Sequence, residues 1–400
     1  MSKDNDVVIV SAARTAIGTF GGTLREVRAH QLAAHVMVEV LKRANNLDPN
    51  VISDVIVGDC LQNVDEANTA RVAALAAGIP HQVTAFTVQR NCASSMQALI
   101  SGAQQIICQD SDVVLVAGVE SMSSGPYYMD KARWGMRLRN HEVIDSVWEA
   151  LHSGSRLLGE DMIMGITAEN IAEKDDISRE DQDQVALESN NKAEAAIKAG
   201  LFAEEIVPME VSGDRGESVV FLQDEHPRFG LSIEDLAKLK PVFKKDGTVT
   251  AGNSSGINDG AAAAVIMTRK RAKDLGLTPL ARIVSHSIAG VDPHYMGYGP
   301  VPATEKVLKK AGMTLKDVQL IELNEAFAAQ YLACERKLGI DRDITNVNGS
   351  GISLGHPVGC TGLRIVVTLV YEMIRRDVNV GLATLCVGGG MGMATIVARE

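Results

Sequence analysis

The sequence repeats short patterns at a fixed interval, and this constrains the fold more than any other feature. Residues 41–44, Leu-Lys-Arg-Ala, recur as Leu-Lys-Lys-Ala at 308–311, and the apolar run at 113–116 lines up with 380–383. Both matches lie 267 residues apart. Each half also runs helix, strand, strand, helix, strand in the same order. Two matches at one interval, within matching element order, predict a duplicated domain.

Strands and helices alternate along each half. A β-branched run at 7–11 predicts a buried strand, and residues 30–44 show helical spacing. A further strand at 83–88 precedes a helix at about 93–108. Alternation of this kind is typical of an α/β architecture.

The middle of the chain has a different character. Residues 125–250 are richer in charge and in loop signals than the rest. Ser178, with Asp181 three residues later, is typical of a capped helix start, and we expect that helix to run to about Ala199. We interpret this region as an insertion after the first half, lying over its surface.

Composition excludes several classes of protein. The chain has 400 residues and a net charge of −11, which argues against nucleic-acid binding. Its six cysteines contain no C-x-x-C pair, so we expect free thiols in a cytoplasmic protein. The first residues are typical of neither a signal peptide nor a transit peptide. The uncharged stretch 378–398 is long enough to span a bilayer, but its glycines favour two strands joined at Gly-Gly-Gly instead.

One cysteine has the position of a nucleophile. Cys92 follows the predicted strand at 83–88 and opens the next helix, where the helix dipole and free N–H groups favour a thiolate. A thiol with a lowered pKa is a usable nucleophile, although a cysteine here could also be a small buried hydrophobe. The 267-residue interval takes Cys92 to Gly359, so we expect the strand-to-helix junctions of the two halves to face each other.

Three segments near the end of the chain carry further candidate groups. His356 lies in the glycine-rich segment 348–362 and is either a base or a polar residue of a turn. That segment matches neither a Walker A loop nor a dinucleotide fingerprint. Cys386 precedes glycines whose N–H groups could hold an oxyanion, but it could also belong to the core. Asn324 follows a predicted strand and could simply cap the next helix.

Together these segments resemble the four active-site blocks of the thiolase family. The blocks are Asn-Cys-Ala-Ser-Ser at 91–95, Asn-Glu-Ala-Phe-Ala-Ala-Gln at 324–330, Gly-His-Pro-Val-Gly at 355–359 with Asn348 before it, and Cys-Val-Gly-Gly-Gly-Met-Gly at 386–392. The resemblance covers essentially the whole chain. It implies an α/β fold, a five-layered αβαβα sandwich of two duplicated halves with an inserted loop domain. The expected domains are residues 1–124 with 251–278, the loop domain at 125–250, and 279–400.

Thiolases interconvert two acyl-CoA molecules with a 3-ketoacyl-CoA and CoA, without a metal or other cofactor. The resemblance implies that Cys92 is the nucleophile, that His356 activates it, and that Cys386 exchanges a proton with the α-carbon of the second acetyl-CoA. Asn324, through a water, and His356 would form one oxyanion site, and the N–H groups of Cys92 and Gly388 the other. Acyl-CoA and CoA are therefore the expected partners, and a homotetramer or homodimer is the expected assembly.

The resemblance also implies where the substrates bind. CoA contacts are expected mostly in the inserted region, at Arg228 and Ser255. Acyl-pocket contacts are expected at Met164, Met296 and Phe327. The segment 127–152, with its Trp and Arg residues, resembles a tetramerisation arm.

Departures from the family pattern bear on the chain length of the substrate. Ile163 stands where many short-chain members have a His, and Ser350 and Cys360 replace the more usual Gly and Ala or Ser. Met296, in contrast, matches a bulky residue that limits chain length in short-chain members. The resemblance therefore predicts an acyltransferase that condenses two acetyl-CoA molecules to acetoacetyl-CoA through an acyl-cysteine. A broader-chain thiolase of β-oxidation is the alternative.

Two other classes are less consistent with these residues. Decarboxylating ketoacyl synthases on a similar fold use one Cys with two His, or with a His and an Asn, and the second cysteine, Cys386, argues against them. A non-catalytic acyl-CoA binding module would have no need of Cys92, Asn324, His356 and Cys386 together.

Overall fold

The structure, a computed structural model, describes residues 3–213 and 216–400. The strands are β1 (Val7–Arg14), β2 (Gly18–Thr19), β3 (Asp54–Gly58), β4 (Thr84–Val88), β5 (Val113–Ser121), β6 (Tyr127–Tyr128), β7 (Ile144–Asp145), β8 (Met209–Ser212), β9 (Ser218–Phe221), β10 (Asn258–Thr268), β11 (Ala281–Gly290), β12 (Leu320–Leu323), β13 (Val380–Val387) and β14 (Met391–Arg399). The α-helices are α1 (Ala29–Arg43), α2 (Thr69–Ala76), α3 (Ser94–Cys108), α4 (Ser146–Ala150), α5 (Met164–Lys174), α6 (Arg179–Lys198), α7 (Ile233–Ala237), α8 (Arg269–Asp274), α9 (Pro300–Ala311), α10 (Ala328–Leu338), α11 (Gly351–Leu354) and α12 (Val358–Arg376).

The two halves of the chain contribute to one mixed sheet. The strand order is β4-β3-β5-β10-β1 in the first half and β12-β13-β14-β11 in the second. The halves join where β1 pairs with β11, with Val8 opposite Arg282 and Ile9 opposite Ala281. The strand β3 is parallel to β4 and β5, and β12 is parallel to β13, whereas β10 and β14 run antiparallel to their neighbours. This related strand order agrees with the predicted duplication.

The two halves of the sheet lie on either side of a pair of central helices, and further helices cover the outer faces, which produces five layers. The helices α1 and α2 cover the outer face of the first half, α9 and α10 cover that of the second, and α3 packs against α12 between them. Successive side chains of a strand point to opposite faces. In β5, Val113 and Leu115 pack towards α1, while Val114 and Val116 pack towards the central helices. The αβαβα sandwich predicted from the sequence is therefore present.

The repeated patterns occupy equivalent places in the two halves. Residues 41–44 and 308–311 form the last turns of α1 and α9, and residues 113–116 and 380–383 begin β5 and β13. The stretch 378–398 contains β13 and β14, joined through the glycines as expected. Among residues 3–213 and 216–400, no helix has the length and apolar character needed to cross a membrane. The domain boundaries stay predictions.

The insertion contacts both halves, and not the first half alone as the sequence suggested. The helix predicted from Ser178 is α6, and the Ser178 hydroxyl caps it. The helix α6 packs against α10 and α11 of the second half, where the Ser189 hydroxyl donates to Glu325 at 2.6 Å. Further along, Asp224 accepts hydrogen bonds from the buried guanidinium of Arg14 on β1. The insertion therefore covers the edge at which the two halves meet.

Candidate active site

The strand-to-helix junctions of the two halves face each other in the central layer. The hydroxyl of Ser95, in the first turn of α3, donates to the carbonyl oxygen of Cys360 and accepts the N–H of Leu363, both at 2.8 Å. Cys360 and Leu363 lie in the first two turns of α12. The residues before the two helices, Cys92 and His356, are thereby brought to one place, as the 267-residue interval predicted.

Two glycines allow this close approach. A Cβ on Gly118 of β5 would lie 2.1 Å from Ser95 Cβ, and one on Gly362 of α12 would lie 2.7 Å from the backbone nitrogen of Met96. Real Cβ atoms do not approach other heavy atoms so closely, so a larger residue at either position would force α3 and α12 apart. The sequence therefore specifies the contact between the junctions.

Cys92 lies two residues before the N-terminus of α3, and it is partly exposed to a cavity. Asn91 before it has a φ of 42° and donates from Nδ2 to the carbonyl oxygen of Gly388 at 2.8 Å. Burial raises the pKa of Cys92 to about 11, although the backbone N–H groups of Gly388 and Cys92 itself act in the opposite direction. The sequence suggested that the helix N-terminus would favour a thiolate. In the structure the effect of burial is larger, so the thiol keeps its proton at neutral pH. The thiol needs a base.

A neutral imidazole is available at the other junction. The backbone N–H of His356 donates to Asn258 Oδ1 at 2.9 Å, and Nδ1 lies 2.6 Å from Thr361 Oγ1. Burial, together with the charge of Arg364, lowers the pKa of His356 to about 3. Gly355 precedes it with a φ of 100°, and a Cβ there would lie 2.7 Å from the Asn258 side chain. The ring is thus fixed in place and uncharged at neutral pH.

The other two predicted catalytic side chains are buried. Cys386, near the end of β13, packs with Met296 and Phe327, and burial and the neighbouring Cys92 raise its pKa. Asn324 follows β12, and neither amide atom of its side chain has a hydrogen-bond partner among the described residues. A buried amide without a protein partner is suited to an internal water.

A cavity of about 720 Å³ is lined by eight of the ten predicted site residues. Its walls are largely apolar, as is usual for a site that encloses a small-molecule substrate. The predicted residues that line it are Cys92, His356, Gly388, Arg228, Ser255, Met164, Met296 and Phe327. The remaining two, Cys386 and Asn324, do not line it.

The departures noted in the sequence fall into two groups. Ile163 lines the cavity beside Met164, at the N-terminus of α5. Ser350 and Cys360 are completely or almost completely buried, and neither lines the cavity. Ile163 is therefore the departure that can affect substrate choice directly.

Sequence reasoning missed several residues of the site. Cys60 lines the cavity, and its thiol lies 3.1 Å from the carbonyl oxygen of Asn91. It follows β3, which is parallel to β4, and the residues after parallel strands meet at one edge of a sheet. That rule would have placed Cys60 near Cys92. Trp148 and Phe243 also line the cavity, but no local pattern distinguishes them.

Glu120 is a further residue that the sequence did not indicate. Its carboxylate accepts the N–H of Gly359 at 2.8 Å and that of Leu61 at 3.1 Å, so it ties the start of α12 to the loop after β3. Burial and the nearby Asp59 raise its pKa. No group of three or more His, Cys, Asp or Glu side chains in the described part of the chain is arranged to hold a metal ion.

Comparison with known proteins decides the family. The thiolase N-terminal domain matches residues 7–270, and the thiolase C-terminal domain matches residues 277–399. The chain belongs to the thiolase family. This confirms the resemblance and the classification as an acyltransferase.

This thiolase is similar to proteins of known activity over its whole length. It is 50% identical to the acetyl-CoA acetyltransferase of Pseudomonas aeruginosa, over 99% of this chain and 100% of that one. The crystal structure of the Bacillus anthracis acetyl-CoA acetyltransferase has 52% identity and a TM-score of 0.95, with 99% of each chain covered. Human mitochondrial 3-ketoacyl-CoA thiolase in complex with CoA has 43% identity and a TM-score of 0.94, covering 99% of this chain and 98% of that one.

Proposed function

We propose that this protein is an acetyl-CoA C-acetyltransferase, which condenses two acetyl-CoA molecules reversibly to acetoacetyl-CoA and CoA. One observation carries the proposal: the Cys92 thiol, the neutral His356 imidazole and the Gly388 backbone line one cavity. A second thiol, Cys386, lies close enough to Cys92 for Cys92 to raise its pKa. The chemistry needs two thioesters and no further cofactor.

In the first half-reaction, Cys92 becomes acylated. His356 accepts the thiol proton, and the thiolate attacks the thioester carbonyl of acetyl-CoA. The N–H groups of Cys92 and Gly388 stabilise the oxyanion, a contribution that typically amounts to about 10²–10³ in rate for one donor. CoA then leaves as a thiolate and takes the proton back from His356.

In the second half-reaction, the Cys386 thiol gives its proton to the neutral His356 imidazole, and the Cys386 thiolate then removes a proton from the α-carbon of another acetyl-CoA. The protonated His356 and a water held by Asn324 stabilise the enolate, which attacks the acyl group on Cys92. This releases the Cys92 thiolate, which takes the proton from His356. In thiolysis the same steps run backwards, and Cys386 returns its proton. Because burial raises the pKa of Cys386, the resting thiol already carries the proton that thiolysis requires.

CoA enters past the insertion. Arg228 is exposed at the cavity, with Nη2 near the carbonyl oxygen of Ala251, so its charge faces solvent where a phosphate can reach it. Ser255 lies deeper, with its N–H bonded to the Ala326 carbonyl. We assign Arg228 to the nucleotide phosphates, because an arginine suits phosphate, and Ser255 to the pantetheine arm, because its hydroxyl can form hydrogen bonds with the amide groups of the arm.

The acyl end of the cavity favours a short chain. Met164, Met296 and Phe327 form its walls together with Phe243, whose ring meets that of Phe327 edge to face. Met296 is buried and lines this end of the cavity, so its side chain takes up space that a longer acyl chain would need. These residues support acetoacetyl-CoA as the 3-ketoacyl substrate.

A thiolysis assay with CoA and a series of 3-ketoacyl-CoA chain lengths from C4 upward tests the proposal. We expect activity to be highest on acetoacetyl-CoA, and Met296→Ala to shift activity towards longer chains because it enlarges the pocket. Comparable activity of the unaltered protein on longer chains would favour the β-oxidation thiolase instead. Absence of thiolysis at every chain length would contradict the proposed function.

We also propose a cytoplasmic homotetramer or homodimer that serves fatty-acid metabolism. All six cysteines are free thiols, which suits a reducing compartment. Large apolar side chains of the predicted arm are exposed, including Trp134 and Leu138 at 82% and 99%. Exposed apolar groups at this density are typical of a protein–protein contact.

A further inference from the structure

The ring of His356 contacts a hydroxyl that the mechanism above does not use. Nδ1 lies 2.6 Å from Thr361 Oγ1, and that oxygen lies 2.9 Å from the carbonyl oxygen of Pro357. Both side chains are buried, Thr361 completely. Thr361 lies in the first turn of α12, five residues after the histidine.

A hydroxyl has one proton, so this contact permits two arrangements. In the first, Nδ1–H donates to Thr361 Oγ1, the hydroxyl donates to the Pro357 carbonyl, and the lone pair of Nε2 is free. In the second, the hydroxyl donates to Nδ1 and the ring carries its hydrogen on Nε2. Only the first arrangement leaves His356 able to accept a proton from Cys92.

We propose that Thr361 is a positioning residue that holds His356 in the Nδ1–H tautomer. The inference rests on the proposed role of His356 as the base. The carbonyl of Pro357, four residues before Thr361, is the usual acceptor for a threonine hydroxyl in a helix, so the hydroxyl proton has a place other than the ring. The proton of Cys92 then moves from Sγ to Nε2, Nδ1–H stays on its nitrogen, and the departing CoA thiolate later takes the Nε2 proton.

The backbone on both sides of this contact is held by hydrogen bonds to side chains. Glu120 accepts the N–H of Gly359 in the first turn of α12, and Asn258 accepts the N–H of His356. The helix therefore places the Thr361 hydroxyl, and the hydroxyl places the ring. Partners of this kind, which orient a ring through its second nitrogen, are typical of functional histidines.

Two variants separate the hydroxyl from the volume of the side chain. Thr361→Val removes the hydroxyl at nearly constant size, and Thr361→Ser keeps it. We expect Thr361→Val to lower kcat for thiolysis of acetoacetyl-CoA by at least about 10-fold, with KM for CoA unchanged, and Thr361→Ser to stay near the unaltered protein. Equal activity of the two variants would overturn the proposal.

A second readout follows the proton itself. The rate of Cys92 alkylation by iodoacetamide between pH 7 and 9 reports how readily the thiol ionises. We expect Thr361→Val, but not Thr361→Ser, to slow alkylation and to shift its pH profile to higher pH. An alkylation profile that Thr361→Val leaves unchanged would contradict the proposal, because a purely structural role predicts that result.

The tautomer can also be observed without altering Thr361. In protein labelled with ¹⁵N-histidine, the His356 signals are those lost in His356→Asn, and we expect the protonated nitrogen to be Nδ1. Protonation at Nε2 would overturn the proposal even if every variant misfolded. If His356→Asn still acylates normally, the proposed role of His356 is wrong; if it does not acylate but Thr361→Val acts normally, only the inference about Thr361 fails.

Discussion

The junctions that begin α3 and α12 are equivalent positions of a duplicated fold, yet they present opposite chemistry. The first presents the Cys92 thiol, whose pKa is raised by burial to about 11. The second presents the His356 imidazole, whose pKa is lowered by burial to about 3. Both groups are uncharged at pH 7 for the same physical reason. In the proposed mechanism, the site therefore brings a neutral acid and a neutral base to one cavity and ionises neither of them in advance.

Each junction is completed by the other half of the chain. Gly388, after β13 of the second half, directs its N–H to Cys92 in the first. Glu120, on β5 of the first half, accepts the N–H of Gly359 in the second. The Ser95 hydroxyl bonds to α12 directly. Neither half therefore holds all the proposed catalytic groups. In the proposed mechanism, the first half supplies the acyl carrier and the second half supplies the groups that transfer protons.

The largest effect is expected when the acyl carrier is removed. Cys92→Ser replaces a thiol with a hydroxyl that the neutral imidazole cannot ionise sufficiently, so no acyl-enzyme should form. Mass spectrometry after incubation with acetyl-CoA should show an adduct of about 42 Da on the unaltered protein and none on the variant.

Cys60→Ser is the matched control, since Cys60 is another thiol that lines the same cavity. We expect Cys60→Ser to acquire the adduct on Cys92. If Cys92→Ser still acquires the adduct, Cys92 is not the acyl carrier. If, in addition, Cys60→Ser acquires none, the carrier is Cys60.

A smaller and more selective effect is expected in the second half. Cys386→Ala removes the proposed α-carbon base but leaves Cys92, His356 and the Gly388 N–H in place. The variant should acquire the acetyl adduct normally, whereas condensation and thiolysis should fall by about 10²–10⁴. Rapid-mixing mass spectrometry and steady-state assays measure the two steps separately. Near-normal condensation would show that the division of roles between the halves is wrong.

The order of strands and helices could be predicted well because it follows from the spacing of apolar residues and from the repeat along the chain. The 267-residue interval located both junctions, and the glycine-rich blocks indicated His356 and Cys386. The sequence could not predict the pKa of Cys92, because the helix N-terminus and burial act in opposite directions and only the packed structure fixes which is larger. Glu120 escaped notice because its role depends on a contact between the halves, which no local pattern records. Cys60 was missed although it follows β3, which is parallel to the strand that leads to Cys92.

The two junctions should also differ in how pH affects stability, which is the smallest effect we predict. An unfolded histidine takes up a proton below about pH 6.5, but buried His356 does not until about pH 3, so its contribution to stability is present above pH 6.5 and is lost as the pH falls. At pH 5 the loss amounts to about 2 kcal/mol. Folded Cys92 keeps its proton to a higher pH than unfolded Cys92 does. Its contribution to stability is therefore present at low pH and is lost as the pH rises above about 8.5. Urea midpoints measured from pH 5 to 10 should therefore fall less steeply on the acid side in His356→Asn and less steeply on the alkaline side in Cys92→Ser. His226 and His286 also have lowered pKa values, but both are unchanged in the two variants, so their contributions to the pH dependence cancel in the comparison. Parallel curves of urea midpoint against pH for the two variants would contradict the opposite pKa shifts of the two junctions.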